Sequence, residues 1–338
     1  MVKRLFLMVV VFALVFPFAV MAQDATPEMM MMEEIVLPDV DPLSVVGDIV
    51  AAGSSTVFPL TEAAAEAFLA DGFAGNITVD SIGSGAGFER FCVAGETDIA
   101  NASRPIRDSE IESCAAINRT PIEFRVGTDA LAVVVSAEND FVESLTIEQL
   151  AKIYSGEFAM WSDVDASYPA EAIQLFSPGT DSGTFDYFVE EVLEDGLDLE
   201  GDAAEAAILN AAGIQFSEDD NVLVQGVEGS PYAIAYFGFA YFTEEADNLK
   251  ALALDAGDGA IEPNMETAED NSYPLSRPLY IYSDATIIAE KPQVGAFINY
   301  YLTNVNSFIE AAGYFPASVE ALNGAKQALI DAMEMGGM

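Results

Sequence analysis

Three short segments place glycine beside serine or threonine where an apolar run gives way to a helical pattern. They read AGSSTVFPL, SIGSGAGFERF and SPGTDSGTFDYF. Glycine lets the backbone approach a ligand closely, and a helix N-terminus presents unpaired N–H groups with partial positive charge. Such a terminus can bind an anion. The hydroxyls of Ser54, Ser55 and Thr56 are therefore candidate donors to an oxyanion, although each segment alone also fits a helix cap and a turn.

Arginine is the second group of residues that could bind an oxyanion. A guanidinium presents a planar fork that fits phosphate or sulfate oxygens. Most of the arginines fall in one short stretch of the chain, and they are Arg90, Arg104, Arg107, Arg119 and Arg125. Arg104 follows a strand-like run and is the strongest candidate. Two interpretations of it stay open, an anion ligand or a salt bridge to a nearby acid.

Charge and composition exclude several classes of protein. The 338 residues include 12 basic and 56 acidic ones and no histidine, for a net charge of −44. Nucleic-acid binding needs Lys and Arg to neutralise phosphates, so we expect no nucleic-acid partner. The lack of histidine removes Ser–His–Asp and Cys–His catalysis and His-ligated zinc. Catalysis by carboxylates stays possible, but no spacing singles out a pair, so a secreted hydrolase using serine and carboxylates is kept as an alternative. Our expectation is that the protein is not an enzyme and has no cofactor and no metal.

The N-terminus predicts export. A basic start and a long apolar run ending in VMA form the pattern of a cleavable signal peptide over residues 1–22. An uncleaved N-terminal anchor is the alternative. Either way the protein would lie in the periplasm or outside the cell, an oxidising compartment. Cys92 and Cys114 are the two cysteines, and we expect them to form a disulfide, with two buried free thiols as the alternative.

The elements that would position these residues alternate along the chain. Residues 23–45 are rich in proline and acid, and we interpret them as a flexible linker. Beyond them DIVAAG leads to TEAAAEAFLADGF, NITVDSIG to GFERFCVAG, and AIQLFSPG to TFDYFVEEVLEDG. Alternating strands and helices are typical of an α/β protein with a largely parallel sheet. Ligands of such folds bind where strands end and helices begin.

Several of these motifs, in this order, resemble the PstS-type phosphate-binding proteins of high-affinity phosphate ABC transporters. The segments that carry the resemblance are GSSTVFPLTEAAAEAF, GSGAGFERFCVAGETDIANASRPI, LAKIYSGEFAMWSDV, FSPGTDSGTFDYF and GSPYAIAYFGFAYF. The resemblance implies a two-lobed periplasmic-binding-protein fold of type II. Each lobe would have a central mixed, largely parallel sheet flanked by helices, with the ligand cleft between lobes. We expect residues 46–127 and 274–338 to form lobe 1 and residues 128–273 to form lobe 2.

The resemblance also implies a set of phosphate ligands. Carried over by position, they are Ser55, Thr56, Ser84, Gly85, Ser103, Arg104, Ser182, Gly183 and Thr184. Two positions depart from the family. Ser103 stands where many members have an aspartate that accepts a proton from phosphate, and Pro178 stands where many have an arginine. Arg104 would then supply the cation, and Asp181 could interact with a protonated ligand oxygen.

The sequence therefore predicts an exported binding protein that captures inorganic phosphate and delivers it to the permease of a membrane ABC transporter. We expect a monomer. Because of the two departures from the family, another oxyanion such as sulfate or molybdate stays open as the ligand.

Overall fold

The computed structural model describes residues 34–180, 182–244 and 248–335. The predicted signal peptide at residues 1–22, the first part of the predicted linker and Asp181 lie outside these ranges. Within them, no helix is long and apolar enough to cross a membrane.

Strands and helices alternate through most of these residues. The strands are β1 (Ile49–Gly53), β2 (Ile77–Ser81), β3 (Ile99–Ala102), β4 (Ile122–Ser136), β5 (Ser144–Thr146), β6 (Gln174–Pro178), β7 (Gln215–Ser217), β8 (Ala233–Gly238), β9 (Leu249–Ala251), β10 (Ala253–Asp255), β11 (Ala260–Ile261) and β12 (Ser276–Ser283). The helices are α1 (Phe58–Ala70), α2 (Ser84–Glu89), α3 (Asp108–Ala116), α4 (Ile147–Tyr154), α5 (Trp161–Val164), α6 (Gly183–Phe188), α7 (Asp195–Leu197), α8 (Asp202–Leu209), α9 (Asp220–Glu228), α10 (Phe239–Glu244), α11 (Met265–Glu269), α12 (Ala285–Glu290), α13 (Pro292–Asn304) and α14 (Val319–Met335).

Two of the shorter helices continue into wider π-helical segments. The first π-segment (Arg90–Ala94) extends α2, and the second π-segment (Val189–Glu194) extends α6. Short 3₁₀ turns occupy Pro42–Ser44, Val305–Ser307 and Glu310–Ala312.

The predicted strand–helix pairs are present. DIVAAG contains β1 and is followed by α1, NITVDSIG contains β2 and is followed by α2, and AIQLFSPG contains β6 and is followed by α6. In α1 the side chains of Leu60, Ala64 and Phe68 are buried. Their spacing of four residues puts them on one face of the helix. This apolar face packs α1 into a core that it shares with residues of β1 and α13.

One sheet runs through the molecule in the order β2-β1-β3-β12-β4-β8-β6-β7, and β9 also pairs with β4. β1 is parallel to β2 and β3, and β6 is parallel to β7 and β8. β12 is antiparallel to β3 and β4, and β4 is antiparallel to β8 and β9. The sheet is therefore mixed, as predicted. Parallel pairs make up both ends of this sheet, and the two crossing strands between them, β4 and β12, run against their neighbours.

The long strand β4 belongs to both halves of the molecule. Residues 122–130 pair with β12, and residues 131–136 pair with β8 and β9. We call the part built on β1, β2, β3 and β12 the first lobe and the part built on β6 to β9 the second lobe. The lobe limits predicted from the sequence, 46–127 with 274–338 and 128–273, stay our proposal, and the change of partner lies close to them.

Each lobe has an apolar core of its own. The core of the first lobe lies between the sheet and helices α1, α13 and α14, and Phe68, Phe297 and Tyr301 are its large side chains. The core of the second lobe surrounds Tyr154 and Tyr236. Because each lobe buries its apolar side chains in its own core, the residues that lie between the two lobes can line a cleft.

Residues 34–45 pack against the first lobe, which corrects the prediction of a flexible linker for this part of the chain. Leu37 is buried in the core of the lobe. The backbone N–H of Ile35 donates to Asn323 Oδ1 at 2.7 Å, and Lys326 Nζ lies 2.6 Å from a carboxylate oxygen of Glu34. Both partners lie on α14. Proline and acid content therefore did not prevent this segment from docking.

Candidate functional site

Three neighbouring parallel strands of the first lobe end at one edge of the sheet, and a serine follows each of them. Ser54 follows β1, Ser84 begins the helix after β2, and Ser103 follows β3. The Ser54 hydroxyl donates to Ser103 Oγ at 3.1 Å, and Ser84 Oγ lies 3.3 Å from the same atom. The backbone N–H of Ser103 also donates to Ser84 Oγ at 3.2 Å. We call these three residues the serine cluster.

Close backbone packing holds the serine cluster together. Gly53 ends β1 with a φ of +148°, a conformation that favours glycine. A Cβ added at Gly87 would lie 2.5 Å from the Cα of Gly53. Helix α2 therefore lies directly on the end of β1, and this contact places Ser84 beside the other two serines.

The serine cluster lines a cavity of about 400 Å³. Six of the residues predicted as ligands also line it: Ser55, Thr56, Ser84, Gly85, Ser103 and Arg104. Ser55 is exposed and Thr56 is buried. The opposite wall comes from α6 and the second π-segment of the second lobe. We call this space the serine cavity.

Arg277 is the buried cation of the serine cavity, and it was not among the residues predicted from the sequence. Its side chain donates to Thr56 Oγ1 at 2.5 Å and to Asp129 Oδ2 at 3.0 Å. The guanidinium also lies over the ring of Tyr187, 3.4 Å from the ring centroid. Arg277 and Asp129 are direct neighbours across the pairing of β12 with β4. This arginine therefore touches both lobes.

Burial acts against the charges of this ion pair, and each partner offsets part of the cost for the other. Burial raises the pKa of Asp129, and the nearby guanidinium opposes that shift. Burial lowers the pKa of Arg277, but the charge and hydrogen bond of Asp129 together with the nearby Tyr187 outweigh it and leave the pKa raised. The guanidinium is therefore positively charged at the cavity wall.

Arg104, the cation favoured from the sequence, is held in a salt bridge. Its two terminal nitrogens donate to the two carboxylate oxygens of Glu110 at 2.9 and 2.7 Å. The guanidinium also lies 5.4 Å from the ring centroid of Phe88. Burial raises the pKa of Glu110, but hydrogen bonds from Arg104 and from the Arg107 N–H outweigh this and lower it. Arg104 thus lines the cavity with much of its donor capacity already used.

The neighbouring arginines along the chain lie in different surroundings. Arg107 is exposed and lines the serine cavity. Arg90 donates to Asp80 at 2.5 Å, and Arg119 donates to backbone carbonyls, including that of Phe91 at 2.7 Å. These two arginines hold the first lobe together and do not line the cavity.

The predicted ligands of the second lobe line a different cavity. Ser182, Gly183 and Thr184 lie, with Asp129, around a space of about 560 Å³. Ser182 stands at the N-terminus of α6, where its hydroxyl oxygen accepts from the Thr184 N–H at 3.2 Å. Arg277 lines one cavity and Asp129 the other, so their ion pair lies between the two spaces. The nine predicted ligands are therefore not brought into one cavity.

The wall of the serine cavity in the second lobe carries carboxylates. Asp186, Glu190 and Glu191 line it from α6 and the second π-segment, with Tyr187 between them. Burial and the neighbouring charge of Glu190 raise the pKa of Glu191 to about 7. Burial also raises the pKa of Asp186. Hydroxyl donors on one side thus face acid groups on the other.

The predicted disulfide is present and lies just behind this site. Cys92 and Cys114 are bonded across a sequence separation of 22 residues. The bond joins the first π-segment to α3. Helix α2 carries Ser84 and α3 carries Glu110, so the disulfide connects two elements that line or support the cavity.

Two lobes joined by crossing strands, with a polar cleft, define the class of solute-binding proteins. A model of the PBP superfamily domain matches residues 42–305. Protein SphX of Synechocystis sp. is 40% identical over 276 residues, which cover 80% of this chain and 79% of that protein. The phosphate-binding protein PstS of Staphylococcus haemolyticus is 38% identical, with 78% of each chain covered.

A solved structure gives the same picture. The crystal structure of a possible phosphate binding protein from Planctomyces limnophilus superposes with a TM-score of 0.78 at 37% identity, covering 86% of this chain and 99% of that one. The chain therefore belongs to the PBP superfamily and, within it, to the PstS-type phosphate-binding proteins.

Proposed function

We propose that this protein captures inorganic phosphate in the serine cavity, outside the cytoplasm, and delivers it to the permease of an ABC transporter. The observation that carries the proposal is the buried guanidinium of Arg277 beside the three hydroxyls of the serine cluster. A guanidinium supplies charge-assisted hydrogen bonds to phosphate oxygens, and the hydroxyls supply neutral donors. The phosphate-binding relatives support the same ligand.

In this proposal the donors divide by lobe. The hydroxyls of Ser54, Ser84 and Ser103 and the exposed hydroxyl of Ser55 bind the anion from the first lobe. Arg277 contributes the main positive charge, and Arg104 contributes less because Glu110 already accepts from both of its terminal nitrogens. The other predicted site residues, Thr56 and Gly85, shape the wall. Thr56 holds the guanidinium in place.

Ser182, Gly183 and Thr184 remain proposed ligands from the second lobe. They lie beyond the Arg277–Asp129 pair, so they would reach the anion only through a relative movement of the lobes. Closure around a ligand is a general behaviour of hinged two-lobed folds. We propose that these residues complete the site on closure.

The protein would act without chemistry on its ligand. The chain contains no histidine that could act as the general base for a serine nucleophile. The alternatives from the sequence, another oxyanion or ester hydrolysis, are separated by one set of measurements. Calorimetric titrations with phosphate, sulfate and molybdate would give the affinities, and a chromogenic phosphate ester would report turnover. We expect tight binding of phosphate, weaker binding of the other anions and no turnover.

Equal or tighter binding of sulfate or molybdate would overturn phosphate as the ligand, and steady release of alcohol from the ester would overturn the binding-protein assignment. Export and assembly need separate measurements. We propose an exported monomer, so cell fractionation should place the mature protein outside the cytoplasm. Light scattering of the purified protein should give the mass of one chain.

A further inference from the structure

The carboxylates of the serine cavity pose an electrostatic problem for an anion site. Asp186, Glu190 and Glu191 line the same cavity as the serine cluster. Ionised carboxylates would repel a bound phosphate, because both groups are negatively charged. A bridging metal would remove the repulsion, but the described part of the chain contains no group of metal-ligating side chains that could hold one. Arg277 and Arg104 line the cavity but are already paired with Asp129 and Glu110, so protonation of a wall carboxylate is a further means of reducing the repulsion.

Glu191 is the carboxylate whose surroundings most disfavour a charge. It lies, partly buried, on the second π-segment, which packs against α4, α6, α7 and α8. The charged groups around it on those elements and on the cavity walls are Glu190 and Glu194 of its own segment, Asp186 of α6, Asp195 of α7, Asp202 and Glu205 of α8, Glu148 and Lys152 of α4, Arg277 of β12, and Arg104 and Arg107 after β3.

Acid groups dominate that environment, and the cations in it are mostly paired. Lys152 is bound to Glu148 at 2.5 Å, Arg104 is paired with Glu110, and Arg277 is paired with Asp129. Arg277 favours the ionised form of Glu191, but its charge is shared with that closer carboxylate. The negative neighbours and burial both favour the neutral form.

We propose that Glu191 couples anion binding to proton uptake, so that its carboxyl group is neutral whenever the serine cavity holds phosphate. This inference rests on the proposed function. A neutral carboxyl group no longer repels the ligand, and its O–H can donate a hydrogen bond into the cavity. Glu191 would thereby make the affinity for phosphate depend on pH.

The sign of the effect follows from linkage. The pKa of Glu191 is about 7 in the free protein. A bound anion adds negative charge and raises that pKa further in the complex. Below the pKa of the free protein, the carboxyl group is already neutral and this contribution to the affinity is fully present. As the pH rises above it, binding must take up a proton, and the affinity falls by up to about tenfold per pH unit.

The test compares wild type with Glu191→Gln, which keeps the shape of the neutral carboxyl group but cannot ionise. Phosphate itself titrates in the same pH range, but it does so equally for both proteins. The ratio of wild-type to E191Q dissociation constants should therefore rise at least about tenfold from about pH 6 to about pH 8.5. Calorimetry in two buffers of different ionisation enthalpy should show wild type taking up more protons than E191Q at the higher pH.

Glu190→Gln is the matched control, because Glu190 lines the same wall and adjoins Glu191. It should keep the pH dependence but shift its onset to lower pH, since one repulsive neighbour is gone. Thermal unfolding at each pH checks that the variants are folded. Parallel pH profiles for wild type and E191Q would overturn the inference and leave the proposed function intact. No phosphate binding by wild type at any pH would instead overturn the proposed function.

Discussion

Replacing Arg277 is the most direct perturbation of the proposed site. The side chain is 10% exposed and makes contacts with Thr56, Asp129 and Tyr187. Arg277→Gln removes the positive charge and keeps part of the length and polarity. It also leaves Asp129 buried without its ion-pair partner, so it should affect both stability and binding.

The two effects have different sizes. Removing one partner of a buried ion pair costs about 3–5 kcal/mol of folding free energy, because the remaining charge is buried and uncompensated. Losing a hydrogen bond from a charged group to the ligand costs about 1.5–3 kcal/mol, which is roughly a 10- to 150-fold increase in the dissociation constant. The stability effect is the larger one and must be removed before affinities are compared.

The double variant Arg277→Gln with Asp129→Asn separates the two effects. It replaces the ion pair with two amides that can hydrogen-bond, so the fold should be retained while the positive charge is lost. Arg104→Gln is the comparison at the cavity wall, and its loss should be smaller because Arg104 already pairs with Glu110. Calorimetric titration with phosphate at one pH and salt concentration gives the affinities, and thermal unfolding monitors the fold.

Either of two results would refute this reasoning. A folded double variant that binds phosphate with wild-type affinity would show that the anion lies away from Arg277. A larger loss for Arg104→Gln than for the double variant would restore the assignment made from the sequence, with Arg104 as the main cation.

Three further predictions test the surroundings of the site. Denatured, unreduced protein should show no reactive thiol, and two reactive thiols would contradict the Cys92–Cys114 bond. Removing that bond should lower the free energy of unfolding by about 3 kcal/mol, as measured by denaturant titration. Ser103→Ala should weaken phosphate binding by about 0.5–1.5 kcal/mol in calorimetry, because one neutral donor is lost, with no change meaning that the serine cluster does not bind the anion. Gly87→Ala should destabilise the protein by about 1–3 kcal/mol, because the new Cβ would meet the backbone of Gly53, and an unchanged melting temperature would show that α2 can move away.

Local sequence patterns were sufficient to predict the order of strands and helices. The apolar run of β1 and the four-residue spacing of Leu60, Ala64 and Phe68 each identify an element without reference to the rest of the chain. The direction of β12 in the sheet could not be read in this way. It depends on which strands the returning chain meets, and β12 runs antiparallel to both.

The same distinction holds for the site. Ser54, Ser84 and Ser103 each follow a strand, so a parallel arrangement of those strands was enough to bring them together. Arg277 carries no local signal, because it begins an apolar strand and has no glycine-rich turn beside it. Its role depends on the register that sets it opposite Asp129, and register follows from tertiary pairing. The salt bridge of Arg104 could not be chosen from the sequence, because Glu110, its partner six residues later, is one acid among many.

The acidity of the chain is compatible with an anion site because the charges that matter are local. Exposed charges more than about 10 Å away are largely screened at moderate salt. At the cavity, both Arg277 and Arg104 are paired with carboxylates, so their charges are held in position but partly neutralised. The affinity of the cavity for an anion would therefore depend more on the directions of its hydrogen-bond donors than on a net positive potential. In the proposed site, the close contact of α2 with β1 would keep the three hydroxyls of the serine cluster within hydrogen-bonding distance of one another.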